Sequence, residues 1–191
     1  VGRHGTLFRP GNGNLGQLQP GTGLDGWPSG SANGEQLAYA SDRGGDGNLD
    51  IWVQRASSKN PVRLTTHASD DHAPSISPDG ASVVFRSERD GGGIYLAPSS
   101  PGGEARLLAA KGLRPRFSPD GRWIAYWVGD AEGACKIYVM ASAGGEPRPI
   151  APQFSAAYPV WSPNSKSLLF LGRKAATLGS AGADWWVARL N

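Results

Sequence analysis

A chain of 191 residues with a formal net charge of +3 is long enough for one sizeable domain and only mildly basic. Its Lys and Arg stand singly, with no run of five or six like charges, so a nucleic-acid partner gains no support. No apolar run approaches 18 residues, so no membrane insertion is expected, and the single Cys135 excludes an internal disulfide and a Cys-based zinc site. Gly (28) and Pro (15) are abundant, but apolar β-type runs recur between them, so they read as turns, not disorder. A chain that opens on Val1 is expected to be a processed protein or an excised piece, and no signal peptide is legible.

Taken in chain order, residues 1–26 form an N-terminal segment with two worn strands, Thr6-Leu7-Phe8 and Leu15-Gly16-Gln17-Leu18, which could complete a blade. Four repeats follow, over 27–67, 73–111, 114–153 and 158–191. Each carries a turn at Ser31-Ala32-Asn33-Gly34, Ser77-Pro78-Asp79-Gly80, Ser118-Pro119-Asp120-Gly121 or Ser162-Pro163-Asn164-Ser165, at serine spacings of 46, 41 and 44. A proline sits three residues before each serine: Pro28, Pro74, Pro115 and Pro159. After the turn come a first apolar run (Gln36–Tyr39, Ser82–Phe85, Trp123–Tyr126, Ser167–Phe170) and a loop rich in Gly and charge. A second run follows (Asp50–Val53, Gly93–Leu96, Lys136–Val139, Asp184–Val187), and in the first three repeats a third (Val62–Leu64, Ala105–Leu108, Pro147–Ile150).

In Ser-Pro-Asp-Gly, Pro presets φ for the second position of a type I turn, Asp tolerates the third, and Gly supplies the left-handed exit. Such a turn reverses the chain between antiparallel strands. Four short strands per ~40–45 residues make a propeller blade. The fold class is therefore all-β: a β-propeller of four-stranded antiparallel blades, about four of them, forming a small ring or part of a larger propeller. Two aromatic positions recur in register, Tyr39, Phe85, Tyr126 and Phe170 in one strand and Trp52, Tyr95, Tyr138 and Trp186 in the next, as packing between blades requires. Trp127 and Trp185 fall outside that register and are candidate surface contacts.

Several pieces together resemble the TolB-like (PD40-type) β-propeller repeat over about residues 27–190. They are the Pro-x-x-Ser-Pro-Asp-Gly pattern, Ser41–Val53 (SDRGGDGNLDIWV), and Gly102-Gly103-Glu104 and Gly144-Gly145-Glu146 before the third runs. That resemblance implies a family that usually has six blades, so four repeats imply an arc whose exposed blade faces could pair two copies of the chain. It also implies a bacterial protein, in periplasm or cytoplasm, as part of a larger whole. Arg86–Leu96 and Asp184–Leu190 look most like the sensor-type propellers of bacterial serine/threonine kinases and winged-helix regulators.

The densest polar cluster is Thr66–His72, read as the link from the outer strand of one blade to the inner strand of the next. His67, Asp70, Asp71 and His72 are the candidate partner-binding residues. Imidazole with carboxylate suits zinc or nickel, but the spacing matches no metal motif, so no metal is assigned and Asp70 is equally suited to capping backbone amides. Asp46, Asn48 and Asp50 echo the start of a calcium loop without its sixth-position Gly or twelfth-position Glu, and read as hairpin chemistry. No nucleophile elbow, Walker loop or His-Glu-x-x-His motif is present, and no cofactor is expected. The expected function is a non-enzymatic module that binds a protein or peptide. The alternatives are an accessory propeller of a prolyl-oligopeptidase-type peptidase and a self-assembling structural module.

Overall fold

The computed structural model describes residues 6–8, 15–17, 23–58, 60–129, 133–174 and 182–190. Strands β1 (Thr6–Phe8) and β2 (Leu15–Gln17) pair antiparallel with each other. Four antiparallel sheets follow. The first holds β3 (Asp25–Gly30), β4 (Gln36–Ser41), β5 (Asp50–Arg55) and β6 (Val62–Arg63). The second holds β7 (Asp71–Ile76), β8 (Ser82–Ser87), β9 (Gly93–Pro98) and β10 (Arg106–Ala109). The third holds β11 (Leu113–Phe117), β12 (Trp123–Gly129), β13 (Cys135–Ala141) and β14 (Arg148–Ile150). The fourth has three strands, β15 (Phe154–Trp161), β16 (Ser167–Lys174) and β17 (Asp184–Arg189).

Strands pair in sequence order within each sheet, and the sheets stack in sequence order. The first strands of the sheets, β3, β7, β11 and β15, pack side by side and line one cavity of about 350 Å³. They are the inner strands around a central channel. The first and fourth sheets make no substantial contact with each other among the described residues. Of the two architectures open to the sequence, the described chain is therefore the partial propeller, an open arc of blades.

All four turns use the same hydrogen bonds, including the two degraded copies. The serine hydroxyl donates to the Asp or Asn two residues on: Ser77 to Asp79 and Ser118 to Asp120 at 2.5 Å, Ser31 to Asn33 and Ser162 to Asn164 at 2.7 Å. Each serine Oγ also accepts the N–H that opens the next strand, from Gln36, Ser82, Trp123 and Ser167, at 2.9–3.0 Å. Asn thus replaces Asp without loss of the bond. At the last turn Ser165 takes the left-handed φ of 59° where the other three have Gly.

The recurring aromatics lie directly opposite one another across the second and third strands of each sheet: Tyr39–Trp52, Phe85–Tyr95, Tyr126–Tyr138 and Phe170–Trp186. They lie on the face turned toward the preceding sheet. The other face is turned toward the following sheet and is aliphatic: Ala38, Ala40, Ile51 and Val53 of the first sheet pack on Val83, Phe85, Tyr95 and Ala97 of the second. Val84 and Ile94 meet Ile124, Tyr126 and Met140, and Ala125, Ile137 and Val139 meet Leu168 and Phe170. Burying each Val, Ile, Leu, Met or Phe side chain between sheets stabilises by about 1.5–3 kcal/mol.

The repeat prolines all sit within inner strands, each at a break in register: between Gly26 and Ser29, His72 and Ser75, Leu113 and Arg116, and Ala157 and Val160. An inner strand has a partner on one side only, so a missing N–H facing the channel costs no ladder bond. The residue before each proline is left-handed: Trp27 (φ 51°), Ala73 (52°), Arg114 (48°) and Tyr158 (57°).

Candidate partner-binding site

A left-handed φ at a bulky non-glycine residue costs of order 1–3 kcal/mol and persists only where the surrounding structure imposes it. Here it recurs at one repeat position in four adjacent inner strands, and three of the four residues there make ring contacts. Trp27 tilts against the ring of His72 (centroids 5.3 Å apart). The Arg114 guanidinium lies 5.3 Å from the Tyr158 ring centroid, and the Trp127 ring lies 5.4 Å from it. Arg114 and Tyr158 are exposed, and Trp127 is half-buried. This aromatic and cationic rim is absent from a reading of motifs alone. The signal that finds it is the residue preceding each repeat proline.

The loop singled out in the sequence joins this rim. His67 and Asp70 are exposed in the link, whereas Asp71 and His72 are the first two residues of β7. Alternation along a strand sends them to different surroundings. Asp71 is fully buried and pairs with Arg89 Nη2 at 2.7 Å. Burial pushes its carboxyl up, against the pull of the Ser87 and Thr65 hydroxyls and of Arg89. His72 Nε2 lies 3.1 Å from Glu88, which also takes two hydrogen bonds from Arg86. Those bonds from Arg86, then the contact with His72, hold the Glu88 carboxyl down at about 2. Arg86 Nη1 reaches on to the carbonyl of Gly112 at 2.8 Å, tying the second sheet to the third.

The Asp46–Asp50 hairpin, distant in sequence reading, packs on the same link. Asp46 and Asp50 both accept from Arg63 Nη2, at 2.6 and 2.5 Å. Asn48 donates to the carbonyl of His67 at 2.8 Å, and the Leu49 N–H donates to Asp70 Oδ1 at 2.8 Å. Asp70 thus caps a backbone amide of the neighbouring hairpin. The hairpin carboxylates are engaged by Arg63, and burial pushes Asp50 up, against the charge of Arg63.

Among the described residues, no group of three or more His, Cys, Asp or Glu is placed to hold a metal ion. Neither His67 nor His72 is hydrogen-bonded to a hydroxyl or thiol there. His67 Nδ1 accepts the N–H of Ser69 at 3.1 Å. The rim therefore offers aromatic faces, one exposed guanidinium and a hydrogen-bonded His–Glu–Arg cluster, groups able to contact a partner.

Channel-lining inner strands in an arc of antiparallel three- and four-stranded blades define a β-propeller repeat protein. Residues 13–176 match the TolB beta propeller domain model, and the chain belongs to that family. It is 27% identical over 167 residues to the Tol-Pal system protein TolB of Francisella tularensis, covering 84% of this chain and 38% of that protein. It is 31% identical over 107 residues to the uncharacterized peptidase YuxL of Bacillus subtilis, covering 50% of this chain and 16% of that one. The crystal structure of TolB from Acinetobacter baumannii superposes with a TM-score of 0.74 at 20% identity, over 93% of this chain and 44% of that one, a likeness of fold. The chain spans less than half the length of these relatives.

Proposed function

We propose that this arc is a non-enzymatic binding module whose channel rim engages a protein or peptide. The observation that carries this reading is the fourfold recurrence of left-handed residues ahead of the inner-strand prolines, among them Trp27, set against His72, and Arg114, set over the ring of Tyr158. Backbone strain held at one repeat position, with Arg114 and Tyr158 exposed there, suits a surface shaped for a ligand. His67 and Asp70, exposed on the adjoining link, extend that surface. Asp71, buried under Arg89, supports it from below.

Selection of a random peptide library on the intact chain tests the reading. Binders are expected whose affinity falls at least about tenfold in Tyr158→Ala and Arg114→Ala, the loss of an aromatic or Arg anchor being about 2 kcal/mol. The same binders should be indifferent to Val62→Ala on an outer strand. Binders equally insensitive to rim and outer-strand changes would overturn the proposal. Likeness to YuxL makes an accessory role beside a peptidase domain the alternative context for the same rim.

A second reading, self-association, rests on one surface. On the fourth sheet the face equivalent to Ala38, Ala40, Ile51 and Val53 carries Leu169, Leu171, Trp185 and Val187. Trp185 and Val187 are 62% and 65% exposed, and Val160 beside them 53%. Every equivalent face in the preceding sheets is covered by the next sheet. Two copies pairing these faces would remove an apolar patch from water. Light scattering across a concentration series is expected to rise from 20.0 kDa toward twice that mass. Trp185→Glu should hold the chain at the lower value. A single mass of 20.0 kDa at all concentrations would refute pairing.

A further inference from the structure

The position two residues beyond each left-handed residue is occupied, in chain order, by Ser29, Ser75, Arg116 and Val160, and all four line the central cavity. At the first two positions the side chain closes the next inner strand. Ser29 Oγ accepts the N–H of Ile76, and Ser75 Oγ accepts that of Phe117, both at 3.1 Å. At the third position this role is gone and a guanidinium stands instead. Arg116 Nη1 donates to the carbonyl oxygens of Pro115 (2.9 Å), Pro74 (3.2 Å) and Ala73 (3.4 Å). Among the described residues, no hydrogen bond engages its Nε or Nη2, and no carboxylate stands within 4.0 Å.

Four other half-buried arginines of this arc are treated differently. Arg43, Arg63, Arg86 and Arg89 each face a carboxylate at 2.5–2.8 Å. Burying a cation against carbonyls alone is expensive, and the Arg114 charge nearby adds repulsion. A carboxylate arriving from outside would offset both. The Nε–Nη2 edge of a guanidinium matches a carboxylate with two parallel bonds. Around it the cavity is largely apolar, walled by Ile76, Phe117, Val160 and Trp161, and its roughly 350 Å³ lies within the usual range of ligand pockets.

We propose that Arg116 is the anchor for a peptide carboxylate, from an acidic side chain or a free C-terminus, lodged in the central channel beside an apolar residue. This deepens the binding-module reading and rests on it. Arg116 fixes the charged group, the wall of Phe117, Val160 and Trp161 takes the neighbouring side chain, and the rim guides the peptide in.

The test is a calorimetric titration of the intact chain with N-acetylated Gly-Leu-Glu carrying both carboxylates, and with its uncharged counterpart, Gly-Leu-Gln amide. The acid is expected to saturate and to bind at least about tenfold more tightly, the worth of a charge-assisted pair. Arg116→Gln should abolish that discrimination, and Arg116→Lys should retain part of it without the planar fork. Gly-Leu-Glu amide and Gly-Leu-Gln acid then separate a side-chain carboxylate from a terminal one. Equal binding of acid and uncharged peptide, or discrimination that survives Arg116→Gln, overturns the proposal. Should Arg116→Gln not fold, the acid-against-uncharged comparison on the native chain decides alone. If library peptides depend on the rim while the acid shows no preference, the binding-module reading stands and the carboxylate anchor falls.

Discussion

Phe85→Ala is expected to lower the stability of this chain by about 3–5 kcal/mol, the usual cost of deleting a fully buried aromatic ring. Phe85 has no exposed surface and stands between the first two sheets, opposite Tyr95 with ring centroids 6.1 Å apart. Its neighbours across the sheet gap include Ala38 and Ala40, side chains too short to extend into the space a ring leaves. The sheets cannot close the gap either, because the remaining side chains between them hold their spacing. The loss is a large share of a total that runs to about 5–15 kcal/mol for a typical domain. Urea unfolding should show a lower midpoint with an unchanged slope. Val187→Ala, on the open face of the fourth sheet, should stay within about 0.5 kcal/mol of the parent. Equal effects at the two sites would mean that Phe85 does not sit between packed sheets.

Arg89→Ala is the second large effect, at about 3–5 kcal/mol, because it leaves a buried carboxylate without its cation. The side chain does three things at once. Nη2 pairs with Asp71 at 2.7 Å, Nε donates to Ser87 at 2.7 Å, and the guanidinium lies 4.6 Å from the Tyr95 ring centroid. The repeat-equivalent Arg43 meets Asp25 at 2.8 Å, with both side chains partly exposed. There solvent screens the pair, and Arg43→Ala should lose little more than its packing on Tyr39.

The cost of Arg89→Ala also depends on pH, with a definite sign. Burial already raises the folded-state pKa of Asp71 above its ordinary 3.8, and loss of Arg89 raises it further. A carboxyl raised in the folded state binds more protons there than in the unfolded chain. Stability therefore falls as pH rises from about 3.8 through the raised value. The deficit of Arg89→Ala should thus shrink as pH is lowered from 7 toward 4. Thermal unfolding of both proteins across that range measures it. A deficit that grows on acidification would mean that the Asp71 carboxylate is not the group left stranded. Arg89→Met with Asp71→Asn should recover much of the loss, since both charges are then gone.

A good deal of this molecule is legible from short stretches of chain. Ser-Pro-Asp-Gly encodes its own turn, and the degraded copies keep the Ser–Asx bond, so the four reversals follow from four residues each. The first aromatic stands eight residues past the turn serine in every repeat, and once the strands pair Tyr39 lies opposite Trp52 and Phe85 opposite Tyr95. The loops were harder. Asp46, Asn48 and Asp50 read as one feature and His67–His72 as another, yet Asn48 and Leu49 bond directly to the second. Asp71 and His72 read as equivalent members of a polar cluster, but β7 starts between Asp70 and Asp71, which buries Asp71 fully and leaves His72 half-buried.

What the amino-acid sequence determines by itself is therefore the blade: its turns, its strands, its aromatic register and its membership in an all-β repeat architecture. These depend on φ preferences, period-two alternation and hydrogen bonds spanning a few residues, all local. The tertiary structure alone decides that the blades form an open arc and that Trp27, Ala73, Arg114 and Tyr158 are held left-handed in concert. It alone leaves Arg116 facing carbonyls in the channel, while Arg63 and Arg89 find carboxylates. Each of these outcomes depends on where a neighbouring sheet places its backbone and its charges. That placement is set by stacking between residues some forty positions apart, which no short stretch of the chain encodes.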